Sequence, residues 1–167
     1  MTAKKADVLD LYERSVQEPE SEIDVIDQIW KEQRGRLATS MREDFCGTAA
    51  IAVEWVKRRK GNTSIGVDLD KNTLQWIQGR LPDRLNEGER SRIELIEGDV
   101  LVCPTNPIDM TLATNFSYFI FKTREDVLHY FKIVLGGLVE DGLFILDAYG
   151  GSDSYLEMTE DRDLDGF

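Results

Sequence analysis

The sequence has one His and two Cys in 167 residues. Cys46 and Cys103 are too few for a disulfide framework and fit a reducing compartment. Together with His129 they lack the spacing of a zinc site, so no metal is expected. A lone His leaves little room for a His-dependent triad. No apolar run approaches the ~20 residues that a membrane helix needs, and the charged stretch Met1 to Asp10 has no apolar segment of the kind a signal peptide carries. A cytoplasmic protein without membrane contact is expected. Basic residues are in deficit, 20 Lys+Arg against 32 Asp+Glu, for a net charge of −12. That balance disfavours nucleic acid or anionic lipid as a bulk-charge partner and leaves only a local basic patch for such a role.

What is present is a globular composition, 41% hydrophobic and 31% charged, at a length suited to one domain with a core. Val8, Leu9, Leu11 and Tyr12 predict a helix over 4–17, and Pro19 breaks it. Ile23, Ile26 and Trp30 predict a second helix over 21–33, capped by Ser21 and ended by Gly35. Strands and helices then alternate. Strands are expected at 38–45, 63–68, 93–97, 108–114 and 142–147. Helices are expected at 49–59, after Asp70 as N-cap, and at 124–136 behind a capping box formed by Thr123 and Asp126. Residues 81–90 read as a polar loop. The last helix should turn Val127, Leu128, Tyr130, Phe131, Val134 and Leu135 inward. This order predicts an α/β fold, a three-layer αβα Rossmann-like sandwich with a mostly parallel sheet preceded by two helices. The expected division is 1–35 as a helical cap, 36–151 as the ligand-binding domain and 152–167 as an acidic tail.

In such sheets ligands sit at the carboxyl ends of the strands, near the switch point. There the first strand gives Arg42-Glu43-Asp44-Phe45-Cys46-Gly47-Thr48-Ala49, and the second gives Gly66-Val67-Asp68-Leu69-Asp70. Asp68 stands 21 residues after Gly47. A glycine turn followed by an acid at the end of strand two is a nucleoside-binding pattern, the acid accepting from both ribose hydroxyls. Gly98-Asp99-Val100 follows the third strand and Asn115-Phe116-Ser117-Tyr118 the fourth. A dinucleotide would require more glycines, and Glu43 and Asp44 would repel its phosphates. S-adenosylmethionine has no phosphate and carries an ammonium and a sulfonium, which suit an acidic turn better.

These residues resemble the class I S-adenosylmethionine-dependent methyltransferases, over roughly residues 10–151. Glu43 through Ala49 is similar to a variant of their first motif, Gly66 through Asp70 to the second, Gly98-Asp99-Val100 to the third, and Asp109 through Tyr118 to the fourth. Asp141 through Asp147 is similar to their fifth-strand region. Tyr12-Glu13-Arg14-Ser15-Val16-Gln17, Arg42 through Thr48, and Asn115 through Tyr118 resemble a little-characterised bacterial branch. The resemblance implies methyl transfer from S-adenosylmethionine to a small-molecule or protein acceptor, with S-adenosylhomocysteine as product. It implies Glu43 near the methionine ammonium, with Phe45, Cys46 and Gly47 flanking that moiety through their backbone. Asp68 would hold the ribose diol, and Leu69 would pack on adenine. Asp99 would accept from the adenine amino group, and Val100 would donate its amide. Asn115 and Phe116 would line the methyl-donor side, and Tyr12 would close over the cofactor. Asn115, Ser117 and Tyr118 are candidates for positioning the acceptor, and no general base stands out.

The departures are specific. Phe45 and Ala49 replace glycines, so a wider or shifted turn is expected. Arg42 lies in a central strand, where an unpaired cation is costly; a carboxylate partner or the cofactor carboxylate would satisfy it. Only about 16 residues follow Gly151, fewer than the family's terminal helix and strand hairpin need, so a truncated form is expected, or one that completes its sheet edge with a partner. Two rivals remain: a non-catalytic or partner-dependent cofactor-binding subunit, and an NAD-dependent oxidoreductase.

Overall fold

The computed structural model describes residues 7–103, 106–157 and 159. Among them five strands, β1 (Ser40–Asp44), β2 (Thr63–Asp68), β3 (Ile93–Glu97), β4 (Ile108–Ala113) and β5 (Leu138–Leu146), form one sheet. All pairings are parallel, in the order β3-β2-β1-β4-β5. The chain moves outward from β1 through β2 to β3, then crosses back to β4 on the other side of β1. The switch point is therefore the crevice at the carboxyl ends of β1 and β4.

Seven α-helices among the described residues accompany the strands: α1 (Val8–Val16), α2 (Pro19–Arg34), α3 (Ala50–Arg58), α4 (Lys71–Gln78), α5 (Leu81–Arg84), α6 (Glu87–Arg90) and α7 (Arg124–Gly136). Their ends follow local chemistry. Pro19 opens α2 at its first turn, two residues before the expected Ser21 cap, because proline has no amide to leave unsatisfied there. Gly35 closes α2 at φ 68°, donating its amide to the Lys31 carbonyl. Asp70 caps α4 by accepting from the amides of Asn72 and Thr73. Thr123 accepts from the Asp126 amide, while its hydroxyl donates to the Asp126 carboxylate at 2.6 Å, so only half of the expected box forms.

Two cores lie on the two faces of the sheet. One joins Ile23, Ile26 and Trp30 of α2 to α3, Met41, Met110 and Leu112. The other joins Val67 and Ala113 to Tyr130 and Val134 of α7. Thus α2 shares the sheet's own core, whereas α1 buries no residue.

Three local expectations change. Residues 81–90 are not a loop but carry α5 and α6, the latter closed by a capping box between Asn86 and Glu89. In α7, Leu128 and Leu135 are exposed, because its buried stripe is narrow and centred on Tyr130 and Val134. β5 begins four residues before the expected 142. Its pairing passes from Ile108↔Leu138 to Met110↔Leu143, so the intervening residues bulge away from the ladder. Gly142 closes that bulge, where a Cβ would stand 2.9 Å from the Val139 carbonyl. Most of the expected tail, 158 and 160–167, lies outside the described residues.

Candidate functional site

The turn between β1 and α3 and the end of β2 meet at one contact. The Gly47 amide donates to Asp68 Oδ2 at 2.7 Å, and the Asp70 amide donates to Asp68 Oδ1 at 2.8 Å. Both carboxylate oxygens are thereby fixed by backbone, each with acceptor capacity to spare. Phe45, Gly47 and Ala49 all adopt left-handed backbone, at φ 58°, 51° and 53°. The two residues that replace glycine thus take the conformation that glycine would supply. That conformation costs roughly 1–2 kcal/mol per non-glycine residue. Packing offsets it: the Phe45 ring lies edge-on to Tyr130 and Phe121, and Ala49 is wholly buried at the start of α3.

Glu43 points to the α3 face of β1, and its Oε2 accepts from the Ala52 amide at 2.9 Å. Only 3% of it is exposed. Burial pushes its carboxyl up to about 8, and the nearby carboxylates of Glu22, Asp68 and Asp44 add to this against the Ala52 hydrogen bond. Near neutral pH this acid holds its proton, and a cation at the turn would favour its charged form.

Arg42 points to the opposite face. Its Nε donates to Asp44 Oδ1, its Nη1 to the Cys103 carbonyl at 2.9 Å, and its Nη2 to the Val100 carbonyl at 3.1 Å. The alternative of a carboxylate partner is the one observed. Tyr130 of α7 donates its hydroxyl to Asp44 Oδ2 at 2.8 Å. Burial raises the Asp44 carboxyl, with Arg42 and Tyr130 opposing it. Cys46 is buried and its thiol is pushed up by that burial. It is a packing residue, lying where a Cβ on Gly66 would meet its Sγ at 2.9 Å.

Leu69 is 67% exposed immediately beyond Asp68. Asp99 Oδ1 accepts from the Leu101 amide at 2.9 Å, and the Asp99 carbonyl accepts from Val102 and Cys103. Val100 is buried. Beyond β4, Asn115 and Phe116 are consecutive left-handed residues, at φ 57° and 56°. Their amides both donate to Asp147, just past β5, at 2.9 Å each. Sequence reasoning missed this role of Asp147; the only signal was Asn115, a residue that tolerates such backbone. Phe116 also contacts Phe119 and Tyr149.

Of the three acceptor-positioning candidates, Asn115 is exposed, whereas Ser117 donates its hydroxyl to the Thr114 carbonyl and Tyr118 packs on Phe119 and Phe131. Tyr12 is 43% exposed on α1. That helix is tied down by polar contacts: Trp76 and Arg80 donate to Asp7, and Arg84 donates to Glu13. Just past its end, Gln17 accepts from the Thr48 hydroxyl at 3.1 Å, a link to the turn that the sequence did not reveal. Among the described residues no His, Cys, Asp and Glu group fits a metal ion, and no helix is long and apolar enough to cross a membrane.

No family model matches this sequence, and a search of curated proteins gives no match. Solved structures do match. The sugar N-methyltransferase KedS8 from a Streptoalloteichus species aligns at 15% identity with a TM-score of 0.72, over 95% of this chain and 60% of that one. CalS10, an amino pentose methyltransferase from Micromonospora echinaspora solved with S-adenosylmethionine, aligns at 15% identity and 0.72, over 94% and 62%. An S-adenosylmethionine-dependent methyltransferase from Clostridium acetobutylicum aligns at 19% identity and 0.67, over 82% and 54%. The chain therefore spans between half and two thirds of the length of these proteins. Its parallel sheet, strand order and layered helices give it the αβα fold of the S-adenosylmethionine-dependent methyltransferases.

Proposed function

We propose that this protein binds S-adenosylmethionine at the carboxyl ends of β1 to β4 and serves in methyl transfer to a small-molecule or protein acceptor. The contact between the Gly47 amide and Asp68 carries the reading, because it joins a glycine turn to an acid poised for a ribose diol. The residues fit such a cofactor. Asp68 keeps acceptor capacity on both oxygens, Leu69 offers an exposed apolar surface to a base, and buried Glu43 is an acid that a cation nearby would turn to its charged form.

S-adenosylmethionine supplies a methyl group already activated by its sulfonium. The chain's work is to orient and to exclude water. In this reading Asp68 fixes the ribose, Asp99 and Val100 read the adenine edge, and the Phe45–Gly47 backbone flanks the methionine portion. Asn115 and Phe116, held by Asp147, border the methyl-donor side. S-adenosylhomocysteine is the product to be released.

A second reading, a cofactor-binding subunit completed by a partner, draws on two observations. Ser117 and Tyr118 are engaged within the fold. β5 pairs with β4 alone among the described residues, so its other edge is available to a further strand. Calorimetric titration with S-adenosylmethionine, S-adenosylhomocysteine and NAD tests the common part of both readings. Micromolar binding of the first two supports them; preferential binding of NAD overturns them in favour of an oxidoreductase. Methyl transfer that appears only with a second chain selects the subunit reading.

A further inference from the structure

We propose that Arg42 is a positioning residue for adenine recognition, its guanidinium fixing the turn after β3 that presents Asp99 and Val100. This inference rests on the cofactor reading above.

β1 is the middle strand of the sheet, with Arg42 opposite Ile65 of β2 and Thr111 of β4. A guanidinium there is desolvated; its side chain is 5% exposed and that of Asp44 is 0% exposed. Replacing a buried ion pair by apolar side chains is often neutral or stabilising, so stability alone does not account for the pair. Its geometry does. The three hydrogen bonds leave through three different nitrogens, one to Asp44 and two to the carbonyls of Val100 and Cys103. Asp44 is in turn gripped by the Tyr130 hydroxyl of α7.

The turn has its own internal bonds. Leu101 donates to the Asp99 carboxylate, and Val102 and Cys103 donate to the Asp99 carbonyl. These bonds shape residues 99–103 but do not tie them to the sheet. Arg42 ties them, at two carbonyls, and so sets where the Asp99 carboxylate points. A planar fork can hold two carbonyls and a carboxylate at once; a lysine ammonium, a single point of charge, cannot span them in the same way.

The test compares the full chain with its Arg42→Lys and Tyr130→Phe variants. The probes are S-adenosylhomocysteine and S-inosylhomocysteine, which lacks the adenine amino group. Hydrogen exchange of the Leu101, Val102 and Cys103 amides is followed in the ligand-free proteins. The parent chain is expected to prefer the adenine ligand by about tenfold or more, the value of one hydrogen bond to a charged group. In Arg42→Lys that preference should fall to about threefold or less, and the three amides should exchange faster while those of β2 do not. Tyr130→Phe, which keeps the aromatic packing, should move both readouts in the same direction and stands in if Arg42→Lys fails to fold.

A merely structural Arg42 would weaken both ligands alike and leave the ratio unchanged, which overturns the proposal. So does a parent chain that binds both ligands equally, since Asp99 then does not read the base. A parent chain that binds neither ligand overturns the cofactor reading itself, and this inference with it.

Discussion

Asp68 and Gly47, 21 residues apart, meet at 2.7 Å, the carboxylate accepting from the amide of the turn. The bond joins the ends of two adjacent parallel strands and orients the acid across the crevice. Asp68→Ala is expected to weaken S-adenosylhomocysteine binding by roughly 1.5–3 kcal/mol, about 10- to 150-fold. Titration of the folded variant checks this, and unchanged affinity removes Asp68 from the site.

Gly47 itself makes a separable prediction. Its φ of 51° is left-handed, and a Cβ built there meets nothing within 4 Å. Gly47→Ala should therefore lose about 1 kcal/mol of stability through backbone strain alone. A denaturant midpoint that falls by several times that amount would reveal a clash the geometry does not contain.

Gly66 is the contrasting case. A Cβ there would stand 2.9 Å from both Cys46 Sγ and Leu95 Cδ2. Gly66→Ala should cost about 1–3 kcal/mol by overpacking, and Cys46→Ala in the same chain should recover part of it. A double-mutant cycle with no coupling contradicts this account of the packing.

Much of this arrangement was legible in the sequence, for reasons that differ by residue. β2 and β3 occupy 63–68 and 93–97 as expected, because their turns and caps bracket short apolar runs. The approach of Gly47 to Asp68 follows from a parallel β-α-β unit, which brings the ends of adjacent strands together. The partners of Arg42 did not show, because two of them are backbone carbonyls 58 and 61 residues away and carry no side-chain signature. The Asp147 clamp was hidden for a similar reason: its donors are amides, and Phe116 gives no hint of left-handed backbone. The start of β5 before Gly142 was not legible, because Glu140-Asp141-Gly142 interrupts the apolar pattern; Asp141 pairs with Arg36.

Glu43 should govern a pH dependence. Its carboxyl sits at about 8 in the fold against an ordinary 4.5, mainly through burial. Between those values the folded state holds a proton that the unfolded state has lost. The stability this gives is fully present below about pH 4.5 and is lost as pH rises through 8. Melting temperature should fall across that window, and Glu43→Gln should flatten the curve. Cofactor binding should release protons in the same window, because a nearby ammonium favours the charged acid. Calorimetry in buffers of different ionisation enthalpy measures that release, and proton uptake would contradict it.

Asp147 should matter through two amides. Asp147→Ala leaves the Asn115 and Phe116 amides without their carboxylate, at a cost of about 1–2 kcal/mol. Asp147→Asn, which keeps one acceptor oxygen, should lose less. Equal losses in urea melts would show that the carboxylate charge, not the paired hydrogen bonds, holds the turn.

The central claim is that a nucleoside settles at the ends of β1, β2 and β3. The most direct measurement is an amide NMR titration of the chain with S-adenosylhomocysteine. The account predicts that shifts concentrate at Gly47, Asp68, Leu69, Asp99 and Val100, and that NAD leaves those amides unmoved. Shifts that cluster elsewhere in a folded sample, or none at all at millimolar ligand, would contradict it.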